Sequence, residues 1–87
     1  MSATVHVTVR YFASIREAIG QGSETVDTTA HTLAELREAL IARGAPYADV
    51  LAKGRAVRMA LNQTVCDDLA AIKTGDEVAF FPPVTGG

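Results

Sequence analysis

One segment does most to limit what this chain can become. Between Thr32 and Gly44, the residues Leu33, Leu36, Leu40 and Ile41 recur at helical spacing and form an apolar stripe. Thr32-Leu-Ala-Glu35 is a capping-box pattern at its start. Gly44 tolerates the left-handed turn that ends a helix. The apolar patterns on either side have a period of two. Val5, Val7, Val9 and Tyr11 alternate with His6, Thr8, Arg10 and Phe12, and Val57, Met59 and Leu61 alternate with Arg58 and Ala60. These are half-buried strands. A single amphipathic helix covers only one face of a sheet, so the pattern predicts a two-layer α+β domain with the other face left partly open.

The remaining segments fill in the order. Ser14-Ile-Arg-Glu17 is a second capping-box pattern and predicts a short helix ending at Gly20. Glu24 to Thr28 reads as a strand, and Tyr47 to Ala52 adds a further turn or two of helix. Asn62-Gln63 suits a tight turn, from which Thr64 to Cys66 pairs back. Leu69 to Ile72 is a brief apolar segment. Thr74-Gly75-Asp76 signals a turn before a last strand, Glu77 to Phe81. Val78 and Phe80 continue the inward valine face. Ala79 and Phe81 point the other way, and Phe81 shares the open face with Phe12 if the first and last strands are neighbours. With 87 residues the chain makes one domain, expected over 1–81, followed by a flexible tail over 82–87.

Most chemistry is excluded by what this frame carries. The net charge is −2 and the eight basic residues are scattered from Arg10 to Lys73. Only Lys53, Arg55 and Arg58 lie close together, and a solvated turn and strand edge explains them. Neither nucleic acid nor a membrane surface is an expected partner. His6 and His31 stand apart, with no cysteine or carboxylate at ligand spacing, so no metal site is expected. Cys66 is the one cysteine and reads as a sheet residue, since nothing near it in sequence would favour a thiolate. Asp67-Asp68 and Asp76-Glu77 read as solvated turn carboxylates. No glycine-rich phosphate loop is present. The segment "MSATVHVTVR" lacks the basic start and apolar stretch of a signal peptide, and no apolar run is long enough to span a bilayer, so a cytoplasmic location is expected.

The segment "FFPPVTGG", Phe80 to Gly87, is where chemistry remains. Pro82 and Pro83 lack backbone donors, so the sheet ladder should end there and the chain should leave in a stiff, extended form. Residues 82–87 reach at most about 20 Å at ~3.3 Å per residue. Gly86 and Gly87 pass through a channel too narrow for any residue with a Cβ. The reactive group is the α-carboxylate of Gly87, ionised at neutral pH and therefore a poor acyl donor. Attack on the α-phosphate of ATP would activate it as an acyl-adenylate. An amine would then give an amide conjugate, and a sulfur donor a thiocarboxylate. The residues alone leave both open. Phe12 and Phe81, beside the tail, would form an apolar patch suited to docking.

"GDEVAFFPPVTGG" (Gly75 to Gly87), "RYFASIRE" (Arg10 to Glu17) and "ALNQTV" (Ala60 to Val65) resemble the molybdopterin synthase small-subunit family, the MoaD/ThiS-type sulfur carriers. The resemblance covers essentially the whole chain. It implies a β-grasp, ubiquitin-like fold, with a mixed sheet of about five strands, one main helix and short helices. It implies a non-catalytic subunit that binds no permanent cofactor. Gly87 would be adenylated with ATP by a MoeB-type enzyme and converted to a thiocarboxylate by a sulfurtransferase. The sulfur would pass to a pyranopterin precursor inside a MoaE-type large subunit, in a heterotetramer with the tail, Pro82, Pro83, Val84, Thr85, Gly86 and Gly87, threaded into the large subunit. Phe12, Val65 and Phe81 match the family's apolar docking surface, and Arg16 a polar contact near it. Other readings share the tail: a carrier for thiazole, cysteine or another thio-metabolite, or a ubiquitin-like modifier of lysines. A plain binding module with an inert tail is the last.

Overall fold

The computed structural model describes residues 4–52 and 56–83. Lys53, Arg55 and the tail residues Val84, Thr85, Gly86 and Gly87 lie outside the described residues. The elements run β1 (Val5–Tyr11), α1 (Ala13–Ile19), β2 (Ser23–Thr28), α2 (Leu33–Ile41), α3 (Tyr47–Leu51), β3 (Arg58–Leu61), β4 (Thr64–Cys66) and β5 (Glu77–Phe81). The five strands form one mixed sheet in the order β2-β1-β5-β3-β4. The first and last strands are central neighbours and run parallel, while the other pairs are antiparallel.

The valine face of β1 points inward as the alternation predicts. Val7, Val9 and Tyr11 are buried there with Val78 and Phe80 of β5 and Met59 of β3. Leu33, Leu36 and Leu40 of α2, Leu51 of α3 and Ile15 of α1 close over them. Fully burying a side chain of this size contributes about 1.5–3 kcal/mol. The Tyr11 ring stacks against Phe80 with centroids 6.3 Å apart.

Helix α2 starts at the predicted cap, Thr32, with the return bond made one residue earlier than in a full capping box. The Thr32 hydroxyl accepts from the Glu35 amide at 3.2 Å, and the Glu35 carboxylate accepts from the His31 amide at 2.7 Å. The similar pattern at Ser14 is not used. Helix α1 begins immediately after β1, with Phe12 at the cap position and no side-chain cap bond. The Phe12 amide donates to the Phe80 carbonyl at 3.2 Å, so sheet pairing persists up to the helix. The turn is made by Ala13 at φ 52°, which leaves Ser14 inside the first turn. The stop at Gly20 is as expected, with φ 90° and its amide bonded to the Arg16 carbonyl.

Asp76 differs from its expected place as a solvated turn carboxylate. It is buried, and it accepts from the Asn62 side-chain amide at 3.0 Å and the Lys73 backbone amide at 2.9 Å. The turn before β5 needs those donors tied down, and Asp76 does so from within.

A second polar cluster sits on the inward side. Glu24 of β2 accepts from the Tyr11 hydroxyl at 2.7 Å, the Tyr47 hydroxyl at 2.9 Å and Arg43 Nη1 at 3.0 Å. Burial works against an ionised Glu24, but these three donors outweigh it and hold the carboxyl below its ordinary value. Burial, followed by the bond to Glu24, holds the Tyr11 hydroxyl protonated far above the usual tyrosine range. The cluster ties β1 and β2 to the end of α2 and the start of α3.

Candidate docking groove

No helix among the described residues covers the other face of the sheet. Strand pairing sets its rows. Arg10 of β1, Ala79 of β5, Ala60 of β3 and Val65 of β4 stand side by side, one from each strand. In the next row Phe81 sits opposite Arg58, with Phe12 just beyond the end of β1. In the row on the other side Thr8 is beside Glu77. Two alanines thus form a low floor between larger neighbours. The result is a mostly apolar trough of 480 Å³ lined by Arg10, Phe12, Ala60, Gln63, Val65, Glu77, Ala79 and Phe81. Phe12 is 41% exposed and Val65 56% exposed, although both are large and apolar.

Phe12, Val65 and Phe81, which come from three strands or their ends, therefore line one groove. Arg16 does not. It projects from α1, and its guanidinium packs beside Gly22, where an added Cβ would stand 3.3 Å from Nε. Strand β5 ends at Phe81, and Pro82 and Pro83 follow outside the ladder. The alternation places Arg10 and Ala79 on this face with Phe12 and Phe81, but it does not single out the floor, Ala60 and Ala79, or the polar rim, Arg10, Glu77 and Gln63, as parts of a docking site. The signal for the floor was the alternation itself. Each alanine falls between two inward residues, so each must face outward.

The other reactive side chains stay apart from the groove's chemistry. Cys66 is half-buried on β4, paired with Met59. His6 is exposed and pairs across the β1–β2 ladder with the Asp27 carboxylate. Among the described residues no cluster of three or more His, Cys, Asp or Glu side chains could hold a metal ion. Among them, too, no helix is long and apolar enough to cross a membrane.

Residues 9–87 match the ThiS family. The chain belongs to that family. A curated relative, the molybdopterin synthase sulfur carrier subunit of Haemophilus influenzae, is 43% identical over 79 residues, which is 91% of this chain and 96% of the relative. The solution structure of the Haloferax volcanii HVO 2177 protein superposes with a TM-score of 0.80 at 29% identity, over 97% of this chain and 88% of that one. The complex of subunits 1 and 2 of the molybdopterin-converting factor from Helicobacter pylori gives a TM-score of 0.62 at 32% identity, over 95% of this chain and 100% of that one. The fold is the β-grasp, ubiquitin-like one that the ThiS-family resemblance implies. Relatives of this ThiS-family chain are sulfur carrier subunits, and one of its structural neighbours was solved together with a second subunit.

Proposed function

We propose that this chain is the sulfur carrier of a molybdopterin synthase. The observation that carries the reading is the match to a named sulfur carrier subunit across 96% of that relative's length. The groove supports it, because an apolar trough beside the strand that leads into Pro82 gives a second subunit something to hold at the base of the tail.

In this reading residues 82–87 are a flexible arm and the globule is its handle. The Gly87 carboxylate attacks the α-phosphate of ATP in a MoeB-type activating enzyme. Pyrophosphate leaves and an acyl-adenylate remains. A sulfur donor supplied by a sulfurtransferase displaces AMP, and the terminal oxygen is replaced by sulfur as a thiocarboxylate. The large subunit, of MoaE type, then takes the tail and passes the sulfur to the pyranopterin precursor. Catalytic side chains belong to the partners, in a cytoplasmic heterotetramer, and this chain binds no cofactor of its own. Phe12, Val65 and Phe81 hold the partner, with Arg16 as a polar contact outside the trough. Ordering each tail residue costs about 1–2 kcal/mol of backbone entropy, which burial of the trough offsets.

The test is the intact mass of the chain after incubation with ATP, the activating enzyme and a sulfur donor. Replacement of one oxygen by sulfur is expected. One extra residue added after Gly87 should abolish the replacement, and an unchanged mass for the native chain would sink the reading. Covalent adducts on lysines of other proteins would instead assign the chain as a modifier. Transfer of sulfur to a thiazole or cysteine precursor, but not to the pyranopterin, would assign it to another pathway.

A further inference from the structure

The trough is apolar except along one side, and the charges on that side are unequal in what they have left to offer. Arg10 stands in the same row as the floor residue Ala79. Its guanidinium lies 5.5 Å from the centre of the Phe12 ring, and its Nη1 is 3.8 Å from Glu77 Oε2. Neither contact uses its hydrogen-bonding capacity. An N–H···O bond needs a separation of about 2.7–3.2 Å, so Glu77 is too far to accept one. The ring face attracts the cation without taking an N–H in the plane of the fork. The Arg10 side chain is 45% exposed, against 30% for Glu77. A guanidinium carries five donors in a planar fork that matches a carboxylate.

Resting on the reading of the trough as the docking face for the large subunit, we infer that Arg10 reads the partner's charge. It takes a carboxylate set beside the apolar side chain that fills the space between Phe12, Val65 and Phe81. Its contact with the Phe12 ring holds the guanidinium at the trough's lining before the partner arrives, so less rotamer freedom is lost on docking. The pair stays at the exposed edge of the trough, where salt screens it. Glu77 repels the same carboxylate. The two rim charges therefore act with opposite signs, which makes the inference easy to break.

The experiment titrates the isolated large subunit with the wild-type chain, Arg10→Gln, Arg10→Lys and Glu77→Gln, each at low and at high salt. Arg10→Gln should bind about twofold to fivefold more weakly at low salt, the range of an exposed ion pair, and the difference should fade as salt screens it. Arg10→Lys should keep most of the affinity, and Glu77→Gln should bind more tightly than wild type. Equal affinities for wild type and Arg10→Gln at low salt overturn the inference. So does the reverse pattern, with Glu77→Gln weaker and Arg10→Gln tighter, which would give the partner a cation there. A wild-type chain that binds no large subunit overturns the docking reading, and this inference with it.

Discussion

Phe80 and Phe81 are consecutive and chemically identical, yet they belong to two different surfaces. Phe80 is fully buried in the same core as the α2 leucines and stacked on Tyr11. Phe81 is half-buried on the bare side, across from Arg58 and at the edge of the alanine floor. The covered face is filled by the chain's own leucines. The open face keeps Phe12 and Val65 in water and sets small residues between them, which preserves a hollow rather than filling it. The same sheet thus has one side whose apolar area stabilises the fold and one whose apolar area is left for something else to cover.

The sharpest way to break that contrast is to truncate each phenylalanine in turn. Phe80→Ala removes a fully buried ring from the centre of the core and should destabilise the domain by about 3–5 kcal/mol, read from urea or thermal unfolding. A loss below about 1 kcal/mol would mean that the covered face is not the core. Phe81→Ala should leave the unfolding transition nearly in place. Its effect should fall on binding to the large subunit, weakened by about 1–3 kcal/mol, as for an apolar anchor, at low and high salt alike. If Phe81→Ala instead unfolds the chain without touching affinity, the two faces have been assigned the wrong way round.

How much of this was legible in the sequence differs between the faces for a physical reason. The alternation of Val5, Val7, Val9 and Tyr11 and the stripe Leu33, Leu36, Leu40 depend only on the local repeat of a strand and a helix, so the covered face could be read directly. The groove depends on which strands are neighbours. Phe12 and Phe81 meet only because β1 and β5 pair in parallel, and Val65 joins them only through β3. A composition rule contains neither fact, and the resemblance supplied Val65. The two capping boxes make the same point. Thr32 caps its helix and Ser14 does not, because sheet pairing extends through Phe12 and moves the start of α1. The Glu24 cluster gave no signal at all, since Tyr11, Glu24, Arg43 and Tyr47 come from separate segments.

That cluster gives a smaller effect confined to the covered side. Glu24→Gln keeps the shape but loses the charge that three donors share, and should cost about 1 kcal/mol near pH 7, the difference between charged and neutral hydrogen bonds. The sign with pH follows from the direction of the shift. The folded-state carboxyl titrates below its ordinary value, so its contribution is complete above the unfolded value of about 4.3 and disappears as pH falls through the lower, folded one. The wild-type chain should therefore lose stability through that acid window more steeply than Glu24→Gln. Parallel acid limbs in the two proteins would show that Glu24 is not held ionised by its neighbours. Docking to the large subunit at pH 7 should not change, because the cluster lies on the far side of the sheet.

The smallest expected effect is at the hairpin where the two faces meet. Asn62 and Gln63 both adopt positive φ, 50° and 71°, as a two-residue turn between antiparallel strands requires. Asn62 is bound to this role, because its side chain donates to Asp76 at 3.0 Å and accepts from the Glu77 amide at 2.9 Å. Among the described residues no hydrogen bond holds the Gln63 side chain, so its backbone strain is uncompensated locally. Left-handed backbone costs about 1–2 kcal/mol for a residue with a Cβ, and glycine's extra unfolded-state freedom returns roughly 0.5–1 kcal/mol of that. Gln63→Gly should therefore stabilise the fold by about 0.5 kcal/mol, seen as a higher urea midpoint at unchanged slope. Gln63 also forms part of the trough's rim, as a neutral side chain at the exposed edge. Its loss should leave affinity for the large subunit unchanged, since rim contacts of this kind mainly exclude water. A tighter fold with weaker docking would show that the open face is read by its turn as well as by its aromatic walls, and the division between the two surfaces would have to be redrawn at β4.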